Sequence, residues 1–417
     1  MANQLITSME VTNYQLMVLA NNALAIPHAY RDLDSEFGKK GDKIGDTIYV
    51  RKPNRGAVRD GAGYSPSPMI DTTVPISIDQ QTGADFEFTT AEMYLSLDEI
   101  GDRYIAPRME SLANTLDSRF LRMCMLNTPT VFGVPGTNPG DSGTNAFRLY
   151  ANALAYLKKS GTPAPDVSLF FSSDMGAAWE DYIKNFYHPE RFINAAWNGQ
   201  VSDALGMKWY EDNNIAVQTI GILGGTPAVN GAGQTGTTIT LSGCTPNVVN
   251  YYNVGDSISF ATVFQVNVQP PHASFTNLKN FSIQAPASTD GAGNVTVTIY
   301  PALQPTGVFQ NVSNSPPNGA LVSVYNTNAA GQGVLSGLNT TQAVLFAKQA
   351  FAFVSFPGHV PTGFEHADAK KSKKTGLSIR WVMGMDLRTD TFINRSDVYW
   401  GSGPLYGDEM SVRVAAQ

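Results

Sequence analysis

Residues Gly45 to Phe88, GDTIYVRKPNRGAVRDGAGYSPSPMIDTTVPISIDQQTGADFEF, decide how the chain is read. Gly45–Pro53 has the β-branched and aromatic content of a strand. A Gly- and Pro-rich tract follows, with alternating charge at Arg55, Arg59 and Asp60. Val74, Ile76 and Ile78, then Phe86 and Phe88, recur with a period of two, the mark of a strand with one apolar side. Two legs of about fifteen residues at ~3.3 Å per residue would reach on the order of 50 Å. Strands of globular proteins are mostly shorter, and an isolated hairpin is marginal in water. The excursion therefore predicts support from outside its own chain, and a sister copy is the natural source.

On either side of this arm the periodicity turns helical. Tyr14, Leu16, Met17, Leu19, Leu24 and Ile26 predict an amphipathic helix over Asn13–Ala29, closed by Pro27. Ser96-Leu97-Asp98-Glu99 is a capping box. Behind it Ile105, Met109, Leu112, Leu116, Phe120 and Met123 recur at spacings of three and four. Arg108, Glu110, Asp117, Arg119 and Arg122 fall on the opposite face. Pro107 is placed to restart or kink this helix, which from there to Leu126 would run roughly 30 Å. A Pro/Gly-rich loop (Pro129–Gly143) leads to a mixed region: a helix over Leu149–Lys158, a buried strand Val167–Phe171, a helix Gly176–Phe186 and a strand Ile215–Ile220.

At Ile222 the composition changes. From there to Gly337 the only charged side chains are Asp256, Lys279 and Asp290. Strand patterns recur at Thr238–Ser242, Ser257–Ala261, Val263–Val268, Asn280–Gln284, Val295–Tyr300 and Leu321–Tyr325, with a turn cluster at Asp290–Asn294. Short strands with turn residues between them predict a β-barrel or sandwich inserted into a host fold. Charge returns in a loop, Glu365–Lys374, holding Lys370, Lys371, Lys373 and Lys374. Strands follow at Leu377–Met383, Val398–Trp400 and Met410–Val414.

Over the 417 residues, 42% are hydrophobic and only 15% charged, with 38 Gly, 24 Pro and a net charge of −7. This is a globular, strand-rich composition. The acidic balance excludes a broad phosphate-neutralising surface, so any DNA nearby is not held by charge. Two cysteines, Cys124 and Cys244, exclude a disulfide framework and a multi-cysteine zinc site, and fit a reducing cytoplasm. The first residues carry no signal-peptide pattern, and no apolar run is long enough to span a membrane.

The order of elements is N-terminal arm, long β excursion, long helix, α/β region, uncharged β insertion and returning strands. It resembles the tailed-bacteriophage major capsid proteins of the Johnson fold, and within them the short-tailed phage coat proteins that carry an inserted domain. The local resemblance is carried by Asn253-Val254-Gly255-Asp256-Ser257-Ile258-Ser259-Phe260, by Gly293–Leu303 (GNVTVTIYPAL) and by Gly45–Pro53 (GDTIYVRKP). The Asn/Gly-rich stretch Asn311–Gly337 and the lysine-rich loop depart from the pattern. The resemblance implies an α+β fold with a long spine helix, an extended β loop and an inserted all-β barrel. Its segments here would be an arm over 1–44, the extended loop and P-domain strands over 45–95, spine helix and P-domain over 96–145, the first part of the A-domain over 146–221, the inserted barrel over 222–337, and return strands over 338–417. It further implies a homo-oligomer of hexameric and pentameric capsomers in the virion, enclosing double-stranded DNA without sequence-specific binding. Assembly would take place in the bacterial host cytoplasm with a scaffolding protein and a portal, and a decoration protein as a further partner.

Motifs with catalytic overtones fail on context. Gly140-Asp141-Ser142-Gly143 echoes a serine-protease nucleophile segment, but the preceding histidine is His28 on a predicted arm helix, and turn chemistry explains the residues. Gly231-Ala232-Gly233-Gln234-Thr235-Gly236 fits the dinucleotide string, yet a strand follows where a helix is required. His188-Pro189-Glu190, His359 and His366 give no metal-ligand spacing. The reading is of a non-enzymatic protein with no cofactor, no metal and no membrane partner. Contact candidates between subunits are Arg51, Lys52, Arg55, Arg59 and Asp60 on the arm, which must choose a register on its neighbour, and Lys370, Lys371, Lys373 and Lys374. The competing reading is a β-rich surface adhesion protein using the uncharged insertion as its ligand module; a hydrolase built on Ser142 is a third.

Overall fold

The computed structural model describes residues 8–31, 47–52, 61–64, 72–89, 101–140, 145–160, 167–183, 205–270, 272–327, 331–360, 366–372 and 375–417. The chain divides into two units, one of Met1–Val50, Thr73–Phe120 and Phe351–Leu405, the other of Arg51–Thr72, Leu121–Ala350 and Tyr406–Gln417.

The first unit is a helix-covered antiparallel sheet. Phe351–Phe356, Thr391–Pro404, Ser378–Asp386 and His366–Lys371 lie in that order, and Gln80–Thr89 pairs with the long strand Thr391–Pro404. Leu377, Ile379, Trp381 and Met383 are buried, as their alternation requires. Phe353 stacks on Trp400 at 5.5 Å and meets the Phe120 ring edge-on at 5.8 Å. Each buried aromatic of this kind contributes roughly 1.5–3 kcal/mol.

The helix Ala106–Leu126 and the turn before it bury Ile105, Met109, Leu112, Leu116 and Phe120 along the predicted stripe, while Met123 is only half-buried. A π-helical turn over Gly101–Ile105 gives way to the α-helix beside Pro107, so the proline marks a restart. The capping box Ser96–Glu99 lies outside the described residues.

Four expectations need correction. The N-terminal helix spans Ser8–Asn22, five residues earlier than its apolar pattern suggested. Pro27 sits in a separate 3-10 turn, Ile26–His28. Asp117 is not on a solvated face but buried, its carboxylate accepting from the backbone N–H groups of Leu24, Ala25 and Ile26 at 2.6, 3.4 and 3.2 Å. The excursion is shorter than read, because Gln80–Thr89 is registered on its own chain from Gln80↔Trp400 to Thr89↔Thr391; Thr47–Lys52 and Thr72–Ser77 alone form the two-stranded arm. The lysine-rich loop begins as a strand, His366–Lys371, paired with Ser378–Asp386 from His366↔Met383 to Lys371↔Ser378.

The second unit contains a mixed sheet in the order Val131–Phe132, Ser411–Ala415, Asn339–Ala347, Val167–Phe171 and Lys208–Glu211, with Val217–Thr219 on the far end of Asn339–Ala347. Helices Ala146–Lys159 and Ser173–Ile183 belong to this unit. Asn145 caps the first, its Oδ1 accepting from Arg148 N at 2.9 Å. Tyr150 packs edge-on against Trp179 at 5.3 Å and Trp209 at 4.9 Å, the centre of this core.

The insertion is a six-stranded sheet in the order Val322–Val324, Ser257–Val266, Ser274–Ile283, Val295–Leu303, Gly236–Cys244 and Gly225–Val229. An antiparallel bridge between Ala228 and Leu321 joins its two edges, with Val229 N donating to Ala320 O and Gly319 N to Val229 O, both at 2.9 Å. That closure removes both exposed edges. The two strands expected over Ser257–Val268 are one, Ser257–Val266, with a register shift around Thr262, whose φ is +69°. Residues 230–235 connect two paired strands, so the glycine string is a hairpin loop.

Candidate functional site: the joint between barrel and host sheet

Alternation along the barrel strands puts Ile258, Phe260, Phe281, Ile283, Val322 and Val324 into the barrel core. The intervening residues, Ser257, Ser259, Asn280, Ser282 and Ser323, share the outer face. Their registers, Ser257↔Ser282, Ser259↔Asn280 and Ser259↔Ser323, make a hydroxyl- and amide-lined patch across three strands. This patch docks on main-chain carbonyls of the host. Ser257 Oγ donates to Pro129 O and Ser282 Oγ to Leu126 O, both at 2.7 Å. Gln284 Nε2 donates to the same Leu126 carbonyl at 3.2 Å, and Asn326 Nδ2 to Val131 O at 2.9 Å. Leu126 ends the long helix, where carbonyls lack intrahelical donors. The inserted barrel thus supplies the C-terminal cap of the helix. Val131 and Ala415 of the host also lie in the barrel's apolar cluster, so the two share one core.

Two buried ionisable side chains, Asp256 and Arg413, lie at the centre of the joint. Asp256 Oδ2 accepts from Gly221 N at 3.0 Å and Asn253 N at 2.8 Å, while Oδ1 accepts from Gln218 Nε2 at 3.2 Å. Gly221 and Gln218 lie where the chain enters the insertion, so one carboxylate pins the entry strand to the barrel. Arg413, on the strand Ser411–Ala415, is fully buried and donates from Nη1 to Gly255 O at 2.8 Å. Burial pushes the Asp256 carboxyl up to about 6, while its N–H donors, the Gln218 amide and the Arg413 charge restrain the rise. Burial lowers the Arg413 pKa from its ordinary value, and Tyr325 and Asp256 pull it back.

The sequence profile of the P22 coat protein family (gene protein 5) matches residues 53–407, most of the chain and the whole of the inserted barrel. The chain belongs to the P22 coat protein family. It is a phage major capsid protein, whose copies form the shell of the virion. No curated protein sequence matches it. Among solved structures it is similar to a Mycobacterium phage Che8 structure, with 14% identity, coverage of 94% of this chain and 90% of that one, and a TM-score of 0.49. A cyanophage P-SCSP1u capsid aligns at 10% identity over 95% and 88%, TM-score 0.43, and a Ralstonia phage GP4 capsid at 7% over 93% and 87%, TM-score 0.44.

In this coat-family subunit the contact candidates have separate fates. Arg51 lies exposed on the arm, and Lys52 Nζ sits 5.0 Å from the Tyr406 ring centroid. Arg55, Arg59, Asp60, Lys373 and Lys374 lie outside the described residues. Lys370 Nζ donates to Asn13 Oδ1 at 2.8 Å and Met9 O at 3.4 Å, and pairs with Asp368 at 3.7 Å; Lys371 Nζ donates to Ser355 O at 2.9 Å. These two lysines are engaged within their own chain, where Lys370 ties down the N-terminal helix. The arm instead exposes two aromatics, Tyr49 at 65% and Tyr64 at 90%.

Asp397 was not singled out in the sequence. It accepts from Arg380 at 2.5 Å, Arg395 at 2.9 Å and Gln81 at 3.0 Å, holding the Gln80–Thr89 strand in register. Burial pushes its carboxyl up, but the hydrogen bonds from Arg380, Gln81 and Arg395 outweigh that and hold it below the usual range. Its alternation within a strand of mixed polarity gave no signal. Gly140 is described but Asp141, Ser142 and Gly143 are not, nor is His188-Pro189-Glu190. Among the described residues no three His, Cys, Asp or Glu side chains gather to hold a metal ion, and no helix is long and apolar enough to cross a membrane.

Proposed function

We propose that this capsid protein acts by assembly alone, with no catalysis, as hexameric and pentameric capsomers of an icosahedral shell around double-stranded DNA. The observation that carries this reading is the family match over residues 53–407. The arm strands Thr47–Lys52 and Thr72–Ser77 add to it, since among the described residues they pair only with each other and Tyr49 and Tyr64 stand in solvent. Exposed amphipathic aromatics, Tyr49 on a strand and Tyr64 on the segment that follows, are well suited to a pocket on a neighbouring copy. Modest contacts of that kind, repeated by symmetry, close a stable particle.

The segments read from the sequence then divide the work: the arm (1–44) and extended loop (45–95) reach neighbours, the spine helix and A-domain keep the subunit rigid, and the barrel (222–337) locks the helix end. Arg51, Lys52, Arg55, Arg59, Asp60, Lys373 and Lys374 set register between copies, acting through specificity more than affinity. Assembly takes place in the host cytoplasm with a scaffolding protein and a portal, and a decoration protein binds the finished shell. Sedimentation of the full chain co-expressed with its cognate scaffold tests the reading. Wild type should run as particles, and Tyr49→Ala with Tyr64→Ala should shift the material to capsomers or monomers while circular dichroism stays unchanged. Wild-type protein that remains monomeric would overturn it.

A further inference from the structure

Two of the chain's three Asn-Gly steps, Asn230-Gly231 and Asn318-Gly319, meet at the seam where the barrel closes. Asn-Gly is the step at which a polypeptide deamidates most readily, because glycine has no side chain to hinder the approach. The glycine nitrogen attacks Cγ of the asparagine before it and forms the N–Cγ bond of a five-membered imide. The bond from Cγ to the side-chain nitrogen breaks, and that nitrogen leaves as ammonia with the glycine's proton. Water then opens the ring to aspartate or isoaspartate. All four residues are exposed, so water has access to both steps.

Exposure alone predicts that both asparagines are lost early. The hydrogen bonds predict the reverse. Gly231 N, the nucleophile of the first step, donates to Asn318 Oδ1 at 2.8 Å. Gly319 N, the nucleophile of the second, donates to Val229 O at 2.9 Å. Each attacking nitrogen is thus held by the opposite segment, with its proton engaged. Gln234 Nε2 fixes the first loop further by donating to Asn230 O at 2.6 Å, and Ala320 N closes the second turn on Pro317 O at 3.1 Å. Gly231 and Gly319 have φ of +98° and +77°, so both turns require glycine, and Asn318 supplies the acceptor that Gly231 uses.

We propose that the barrel seam is a chemical lock on two latent modification sites, with Asn230 and Asn318 able to deamidate only when the seam opens. A site that reacts only from the open form is slowed in proportion to how rarely that form is populated. The lock is reciprocal, because cyclisation at Asn318 draws its oxygen off Gly231 N and frees the nucleophile of the other step. The proposal concerns the barrel alone and stands apart from the shell reading.

The test incubates the full chain in mildly alkaline buffer, folded and in guanidinium chloride, and follows both sites by peptide mass spectrometry. Each asparagine should react at least about tenfold more slowly in the folded chain. In folded Asn318→Ala, which takes the acceptor from Gly231, Asn230 should speed up severalfold toward its unfolded rate. Asn318→Asp keeps an acceptor oxygen and should keep Asn230 slow. Equal rates in folded and unfolded wild type overturn the proposal, as does an Asn230 that stays as slow in Asn318→Ala as in wild type. Should Asn318→Ala fail to fold, amide hydrogen exchange of the wild type decides: Gly231 and Gly319 should exchange slowly, and exchange at the unfolded rate overturns the lock.

Discussion

Arg413 donates to the carbonyl of Gly255 from complete burial, at 2.8 Å, and so binds the last strand of the chain to the residue that opens the barrel's second strand. Asp256, the next residue, holds the entry segment through Gly221 and Gln218. These two buried ionisable groups add to the hydrogen bonds of Ser257, Ser282, Gln284 and Asn326 that join insertion and host.

Removing either buried group should be costly, but unequally. Arg413→Met leaves a carboxylate that still has three donors and can take a proton, so the expected loss is about 3 kcal/mol. Asp256→Ala strands the N–H groups of Gly221 and Asn253 together with a buried guanidinium, and should cost about 4–5 kcal/mol. Urea unfolding of the full chain, followed by circular dichroism, measures both; equal losses would show that the donors around Asp256 carry nothing.

The same carboxylate sets a pH dependence. Its folded pKa, about 6, lies above the ordinary value near 3.9 of an unfolded aspartate. A raised carboxyl contributes stability that is fully present below the unfolded pKa and lost as pH rises through the folded one. Unfolding free energy should therefore gain up to roughly 2–3 kcal/mol from this group between pH 7 and pH 4. Asp397, held low, works in the opposite sense and loses its contribution only as pH falls below the ordinary range. The window from pH 6.5 to 5 thus isolates Asp256, and Asp256→Asn should flatten the curve there.

The helix cap from the barrel can be dissected. Ser282→Ala leaves Gln284 on the Leu126 carbonyl and should cost about 1 kcal/mol. Removing both donors, with Ser282→Ala and Gln284→Leu, leaves a buried helix-end carbonyl unpaired and should cost more than the two single losses added. A strictly additive double variant would mean that solvent, not the barrel, satisfies Leu126.

Asp117 makes the corresponding test at the N-terminal side. Asp117→Ala deprives Leu24, Ala25 and Ile26 of their acceptor, and hydrogen exchange at those three amides should accelerate at least tenfold over wild type. Asp117→Asn keeps one acceptor oxygen and should fall between. Unchanged exchange in the alanine variant would assign the order of this turn to the 3-10 hydrogen bonds alone.

Much of the fold was legible because it rests on local periodicity. The stripe from Ile105 to Phe120, the alternation from Leu377 to Met383 and the loss of charge after Ile222 each report burial of one face, or of a whole module, without reference to distant residues. The joint was not legible. Ser257-Ile258-Ser259-Phe260 reads as a strand with one wet face, yet both faces are buried, because the wet one meets carbonyls at Leu126 and Pro129, more than a hundred positions away. Asp256 stood out only as one of three charged residues in the insertion, and Arg413 sits in an apolar strand that gave no sign of its burial against Gly255. Lys370 and Lys371 were read as part of a loop and as contact candidates between subunits because His-Ala-Asp-Ala-Lys-Lys has no apolar face; every residue there is half-buried, and pairing with Ser378–Asp386 makes it a strand. The Gln80–Thr89 strand was read as free because its partner, Thr391–Pro404, lies some three hundred residues on.

Assembly is measured most directly by electron cryo-microscopy of the full chain purified with its cognate scaffold. The expected result is closed shells in which the strands Thr47–Lys52 and Thr72–Ser77 lie against a neighbouring copy, with Tyr49 and Tyr64 covered. Monodisperse single subunits under those conditions, with the same strands folded onto their own chain, would contradict it.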